Sequence, residues 1–552
     1  MTATVTVPAR RRWIAAGHAA LWLALALPAL YQIALLATAI AGRAGYPYDL
    51  EWMEGGMLHH AQRIRLGLGI YVAPSTDFIP YLYTPLYPTL LALLSGPFGL
   101  SYGLGRALSI LALLGIAGTT VASLFAGPER RERPRGATLV GGALALGLFA
   151  AAYPFVDGWY DLVRADTLFL FMITAGIAGL PIWARGGDGI AGHGKVAAGA
   201  ALLALAFFCK QTGIFYVAFG GVIVVIADWR RAPTYAFMAG VIGLGGSWIL
   251  DHTTNSWFWT YISEIHRAHD FSMDRFRASF GHILWHFPAA TVVIAATLVL
   301  VAVTAWRRGA PPAARPFVLW TCAYALSTVV GAVGWGTEFA HFNAYMPALL
   351  HGAIAAGAAV PAALACARAL WGEHRRGELI ATSVGVAAAL PLAITCGLGR
   401  WQPGQFIPTA ADVAAGDRLI QRIKNLDGDI WVPSHPWYAA LADKPLHVHR
   451  MGIKDVTARQ PRAIEGLDDQ LRHHRFGALV LDSRDIANEV PELAQFYHRA
   501  LPIPPDEKPR LYSGAGCVSA GNLLLPDAIW LPNEPAAAAA PGPAPSQAHP
   551  AR

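Results

Sequence analysis

Three carboxylates, Asp49, Glu51 and Glu54, fall close together in Tyr48-Asp-Leu-Glu-Trp-Met-Glu-Gly-Gly56, directly after the first long apolar run of a chain otherwise poor in charge. On helical spacing Glu51 and Glu54 are three apart and share a face, with Asp49 just ahead of it. Carboxyls partly buried beside other acids hold their protons more tightly, which tunes them toward general-base work near neutral pH. The competing reading is structural: the acids cap a surface helix or balance Arg63 and Arg65. Further along, Arg164 and Asp166 open an apolar segment, Lys210 and Gln211 interrupt another, and His341 and Asn343 follow a glycine-containing turn. Arg and Lys suit an anionic group such as a phosphate. An Arg164–Asp166 ion pair, a snorkelling Lys210 and a capping Asn343 are the plainer accounts. His266 and His269 have a spacing that is weak for a metal site, and their loop reads better as an interfacial element with Trp257 and Trp259 at the membrane boundary. No cofactor or metal ligand set can be derived from these residues, and dependence on a divalent metal stays open.

Positioning such residues falls to a membrane scaffold. Of 552 residues 55% are hydrophobic and 14% charged, a balance foreign to soluble chains of this length. Several runs reach the roughly 20 residues needed to cross a hydrocarbon core. The net charge of +7 sits in short arginine-containing loops between apolar segments, which marks cytoplasmic loops and not a nucleic-acid surface. The five cysteines show neither pairing nor zinc spacing. Arg10 to Arg12 precede an apolar run, 14–41, that is too long for a cleaved signal peptide, so the N-terminus is expected in the cytoplasm.

Keeping the basic loops at 130–135, 185–195, 230–231, 307–315 and 368–376 on that same side calls for helices near 102–126, 137–156, 167–184, 196–212, 214–229, 236–251, 282–305, 316–334, 345–366 and 379–397. With the first helix that makes about eleven spans. The proline-containing segment 81–98 must then be re-entrant or interfacial. On this topology the acidic cluster, Arg164 to Asp166, Lys210 to Gly213, and the loops 252–281 and 335–344 all lie on the outer side. Residues 1–400 are expected to form the transmembrane domain and 401–533 a small extracytoplasmic α/β domain. In the latter, helices are expected near 412–426, 463–473 and 486–501, and strands near 429–433 and 476–482. The Ala/Pro-rich tail 534–552 is expected to be disordered.

An acidic outer loop leads into Gly55, Ala61, Arg63, Gly69 and Tyr71. Tyr83-Thr-Pro-Leu-Tyr-Pro88 follows, then Arg106 at a helix start, Arg164-Ala-Asp166, Lys210-Gln-Thr-Gly213 and His341-Phe-Asn-Ala-Tyr-Met-Pro347. In this order, and on one side of the membrane, the set resembles the GT-C glycosyltransferases. The likeness is to the branch holding protein O-mannosyltransferases, lipid A aminoarabinose transferases and RgtA-like transferases. Two departures stand out: Met53-Glu54 occupies the place of an adjacent Asp-Glu pair, and Tyr83-Thr84-Pro85 that of Lys-Pro-Pro.

The resemblance implies transfer of a sugar from a polyprenyl-phosphate donor to an acceptor hydroxyl on an envelope glycan, lipid or protein. It puts the base in the first outer loop, with Asp49 leading and Glu51 and Glu54 behind it. It also implies substrate contacts from Tyr83, Arg164, Asp166, Lys210, Gln211, His341 and Asn343. Membrane lipids are the surroundings, nucleic acid is not a partner, and a bacterial inner membrane with the C-terminal domain in the periplasm is the expected setting. The alternative is a lipid or sugar flippase, which would show polar residues in broken helices at mid-membrane and often an internal repeat; neither is evident in the sequence.

Overall fold

The computed structural model describes residues 9–125, 134–186, 189–372, 374–458, 461–482, 490–514 and 524–533. Arg130, Arg131, Arg133, Cys517 and the tail 534–552 lie outside the described residues. Among those described, ten helical stretches are long and apolar enough to cross a membrane. One of them, Gly213–Thr253, spans 41 residues and is a hairpin. Asp228 has an extended backbone (φ −160°, ψ 94°), and the Tyr235 hydroxyl donates to the Val217 carbonyl at 2.6 Å. In an uninterrupted helix those residues would stand roughly 27 Å apart. The Gly213–Asp228 helix therefore turns back at Trp229–Arg231, so the described residues hold eleven apolar helical segments of this kind.

Met346–Trp371 runs through the middle, with 94% of its most apolar window buried. Its run of Ala and Gly is what a helix enclosed on all sides by other helices requires. A Cβ on Gly357 would sit 2.1 Å from the Gly141 carbonyl oxygen, so the helix Arg135–Ala151 packs against it backbone to backbone. The apolar stretch after Pro85 forms the thirteen-residue helix Leu86–Phe98, about 20 Å long and too short for a span.

The segments between the apolar helices contain more helix than expected. Glu54–Arg65 is helical within the first loop, and the amphipathic Met273–Leu284 precedes a span that begins at Pro288, later than expected.

After the last span, the helix Ala410–Lys424 opens with a capping box between Thr409 and Asp412, in which each side chain satisfies the other's backbone N–H. Four strands follow, β1 (Asp429–Trp431), β2 (Phe476–Asp482), β3 (Tyr497–Pro502) and β4 (Pro526–Pro532). They form one sheet in the order β1-β2-β4-β3, parallel between β1 and β2 and antiparallel elsewhere. The helix read over 486–501 is corrected: 483–489 lie outside the described residues, and the remainder is a short helix, Leu493–Phe496, running into β3. Short helices Pro436–Leu441 and Arg450–Thr457 were not legible in the sequence. This region sits on the first outer loop: Val448 N–H donates to Thr76 and Tyr512 N–H to Leu50, and Tyr48 donates to Asp417 at 2.6 Å.

Candidate active site

The three carboxylates that follow the first apolar helix have three different surroundings. Glu54 begins its helix and turns inward, where Arg106 Nη2 reaches it at 2.7 Å and both side chains are fully buried. It also accepts the N–H groups of Leu50 and Val163. Such a carboxylate is committed on every lone pair, and it ties the loop to the start of the helix Tyr102–Phe125 and to the turn before Ala165–Trp183.

Asp49 is equally enclosed, accepting from Gly55 N–H at 3.0 Å and bonded to His435 Nδ1 at 2.7 Å. The far nitrogen of His435 meets the Leu524 carbonyl, so this pair joins the loop to the C-terminal region. Glu51 stands outside the helix, not on one face with Glu54 as its spacing suggested. It alone of the three lines a cavity of about 450 Å³.

That cavity gathers Glu51, Tyr83, Arg164, Asp166, Lys210, Gln211, His341 and Asn343, residues scattered over nearly 300 positions of the sequence. Glu51 accepts from Arg164 Nη1 at 3.1 Å. Burial pushes its carboxyl up to about 7; Arg164 pulls it down, and Glu54 and Asp49 add to the rise. Arg164 also donates to the Tyr83 hydroxyl at 2.7 Å, and its guanidinium lies 5.1 Å from the Trp159 ring centre.

Asp166, in the first turn of Ala165–Trp183, is a hub. Oδ1 accepts from Lys210 Nζ at 2.6 Å and from Asn343 Nδ2 at 3.0 Å, and Oδ2 from Trp159 Nε1 at 3.0 Å. Lys210 ends the helix Gly189–Cys209 and keeps 19% of its side chain exposed, the most accessible cation of this set. Gln211 is held by the Leu82 carbonyl.

His341 stacks on Trp159 with ring centres 5.7 Å apart, and its Nε2 lies 3.3 Å from Asp157. Burial, with Arg275 and Arg164 nearby, lowers it to about 4, so the imidazole is neutral at ordinary pH. Its Nδ1 is buried without a hydrogen-bond partner.

The structure thus brings together all seven expected substrate contacts and one of the three expected bases. Asp49, expected as the leading base, and Glu54 are enclosed behind the cavity and are not among the residues that line it. Trp159 was missed; its place two residues before Asp161, in a loop rich in acids, was the available signal. His269 and Asp455, on the cavity wall formed by the 257–272 segment and the helix Arg450–Thr457, could not be inferred from spacing. Among the described residues no group of three or more His, Cys, Asp or Glu is arranged to hold a metal ion.

A family model described as Glycosyltransferase family 87 matches residues 81–330. Among solved structures, the fold is similar to that of ArnT from Cupriavidus metallidurans bound to undecaprenyl phosphate, with a TM-score of 0.55 and 13% sequence identity over 91% of this chain and 97% of that one. The apo form of the same protein gives a TM-score of 0.53 at 13% identity over 94% and 98%. No curated protein matches the chain in sequence. The polytopic helical architecture and the GT-C likeness read from the sequence both agree with these matches.

Proposed function

We propose that the chain is a membrane glycosyltransferase of the GT-C type that transfers a sugar from a polyprenyl-phosphate donor to an acceptor hydroxyl at the outer face of the membrane, with Glu51 as general base. The observation that carries this reading is the placement of a buried carboxyl poised near 7 on the same cavity wall as Lys210 and Arg164. A base works best when its affinity for protons matches the operating pH. In the transfer, Glu51 takes the acceptor's proton and the freed oxygen bonds to the anomeric carbon. The bond from that carbon to the phosphate oxygen breaks, and polyprenyl phosphate leaves with the electron pair.

The charge developing on the phosphate falls to Lys210 and Arg164, preorganised by Asp166 and Tyr83. With Glu51 protonated, the pairs Arg164–Glu51 and Lys210–Asp166 leave a net positive charge in the cavity, which favours a bound phosphate. Asp166 is a positioning residue, held by three donors, Lys210, Asn343 and Trp159. Similarity in fold to an ArnT structure holding undecaprenyl phosphate supports the donor class. The cytoplasmic N-terminus and periplasmic C-terminal region rest on the arginine-bearing loops.

The test is purified protein in lipid nanodiscs with a panel of undecaprenyl-phosphate sugars radiolabelled in the sugar. The expected result is release of the label from at least one donor, to water or to an envelope extract. Absence of turnover with every donor would overturn the proposal.

A further inference from the structure

The cavity has a second polar wall that donor chemistry does not use. It is built from the segment 266–269, the turn Glu338-Phe339 and the helix Arg450–Thr457 of the C-terminal region. Asp455 is 6% exposed, faces the cavity, and its Oδ1 accepts no hydrogen bond. His269 Nε2 stands 3.5 Å from that oxygen, at the outer limit of a hydrogen bond, so the two set polar atoms side by side for one ligand. A buried acceptor left unmade is costly, and a cavity-facing one marks where a ligand group goes.

Phe339 supplies a second, independent sign. Its φ is +61°, a left-handed conformation that a bulky residue rarely adopts and that clusters at ligand sites. Phe339 lines the cavity. His269 meets it edge-on at 5.2 Å, and Lys454 Nζ lies 3.9 Å from its centre.

We propose that Asp455, His269 and Phe339 form a carbohydrate subsite that holds the acceptor as a polyhydroxylated sugar. The assignment to an acceptor rests on the transferase reading; the subsite itself does not. A carboxyl beside an imidazole both donates to and accepts from vicinal hydroxyls, and an aromatic ring packs against the apolar face of a pyranose. Burial raises the Asp455 carboxyl to about 8, so it is largely neutral at pH 7. A neutral carboxyl suits uncharged hydroxyls better than an amine.

The test uses full-length protein in phosphatidylethanolamine/phosphatidylglycerol nanodiscs and saturation-transfer NMR with methyl α-mannoside, methyl β-galactoside and methyl β-glucoside. At least one glycoside is expected to receive saturation, with the signal falling at least five-fold in Asp455→Ala and His269→Ala. Asp455→Asn, which keeps a neutral hydrogen-bonding group, should stay within two-fold of the wild type. His269→Ala decides the matter if Asp455→Ala does not fold. The subsite is overturned if no glycoside is saturated, if both variants leave the signal unchanged, or if an acetylated Gly-Ser-Gly tripeptide shows the Asp455-dependent signal instead. Asp455-dependent binding without donor turnover would retire the transferase reading alone; turnover without such binding would retire the subsite alone.

Discussion

Glu51, Glu54 and Asp166 are chemically near-identical groups separated in role by what surrounds them. Glu54 accepts four hydrogen bonds and Asp166 three, whereas Glu51 keeps a cavity-facing carboxyl with one strong partner, Arg164. This gives the rate a defined pH dependence. The Glu51 value is raised from 4.5 to about 7, and a base acts only when ionised, so kcat/KM should rise with pH through about 7, level off above it and fall below it. Steady-state kinetics across pH 5 to 9 check this, and in Glu51→Gln the rise should vanish along with roughly 10²- to 10⁴-fold of the rate. Lys210→Met should act differently, raising the donor KM by roughly ten-fold or more through loss of a charge-assisted phosphate contact. Donor titration at fixed acceptor separates that from a loss in kcat. The residue types of the site were legible, because charge is conspicuous in an apolar chain. The choice among Asp49, Glu51 and Glu54 was not: it depends on His435, 386 positions from Asp49, and on Arg106, 52 positions from Glu54, and no local spacing reports such partners.

The elements that hold the site are joined by buried ion pairs. Arg106–Glu54 pins the helix Glu54–Arg65 to Tyr102–Phe125, and Arg43–Asp161 pins the end of the first span to the loop before Ala165–Trp183. Removing one partner leaves a buried charge uncompensated, which costs about 3–5 kcal/mol. Arg106→Met is therefore expected to lower thermal stability in detergent sharply, and Arg106→Met combined with Glu54→Gln to recover part of it. Thermal unfolding followed by tryptophan fluorescence measures both; a single variant as stable as wild type would remove Glu54 from its anchoring role. Spans were legible as elements because hydropathy over some 20 residues is a strong signal. The sheet was half legible: β2 is a continuous apolar run, but β3 reads His-Arg-Ala-Leu and has mostly exposed side chains, a pattern that periodicity does not separate from a helix.

For the whole molecule, the apolar helices bring the ends that carry Arg43, Arg106, Asp166, Lys210 and Asn343 to one face, where the C-terminal region closes over them. A cysteine at Asp468, an exposed position, should then be labelled by an impermeant maleimide in intact cells, whereas one at Arg375 should be labelled only after lysis. The hairpin turn at Trp229–Arg231 is essential to this parity, and it was legible because Arg230 and Arg231 are charges between two apolar runs. The way the C-terminal region caps the cavity was not legible, since it depends on contacts such as Asp49–His435 across most of the chain. The central claim is that a lipid-linked sugar is transferred with Glu51 as base. Single-turnover transfer of radiolabelled sugar from undecaprenyl phosphate, in wild type, Glu51→Gln and Asp49→Asn at pH 8, tests it most directly. The account predicts turnover in wild type, turnover in Asp49→Asn within about ten-fold of it, and loss of roughly 100-fold or more in Glu51→Gln with donor binding intact; full turnover in Glu51→Gln beside an inactive, folded Asp49→Asn would contradict it.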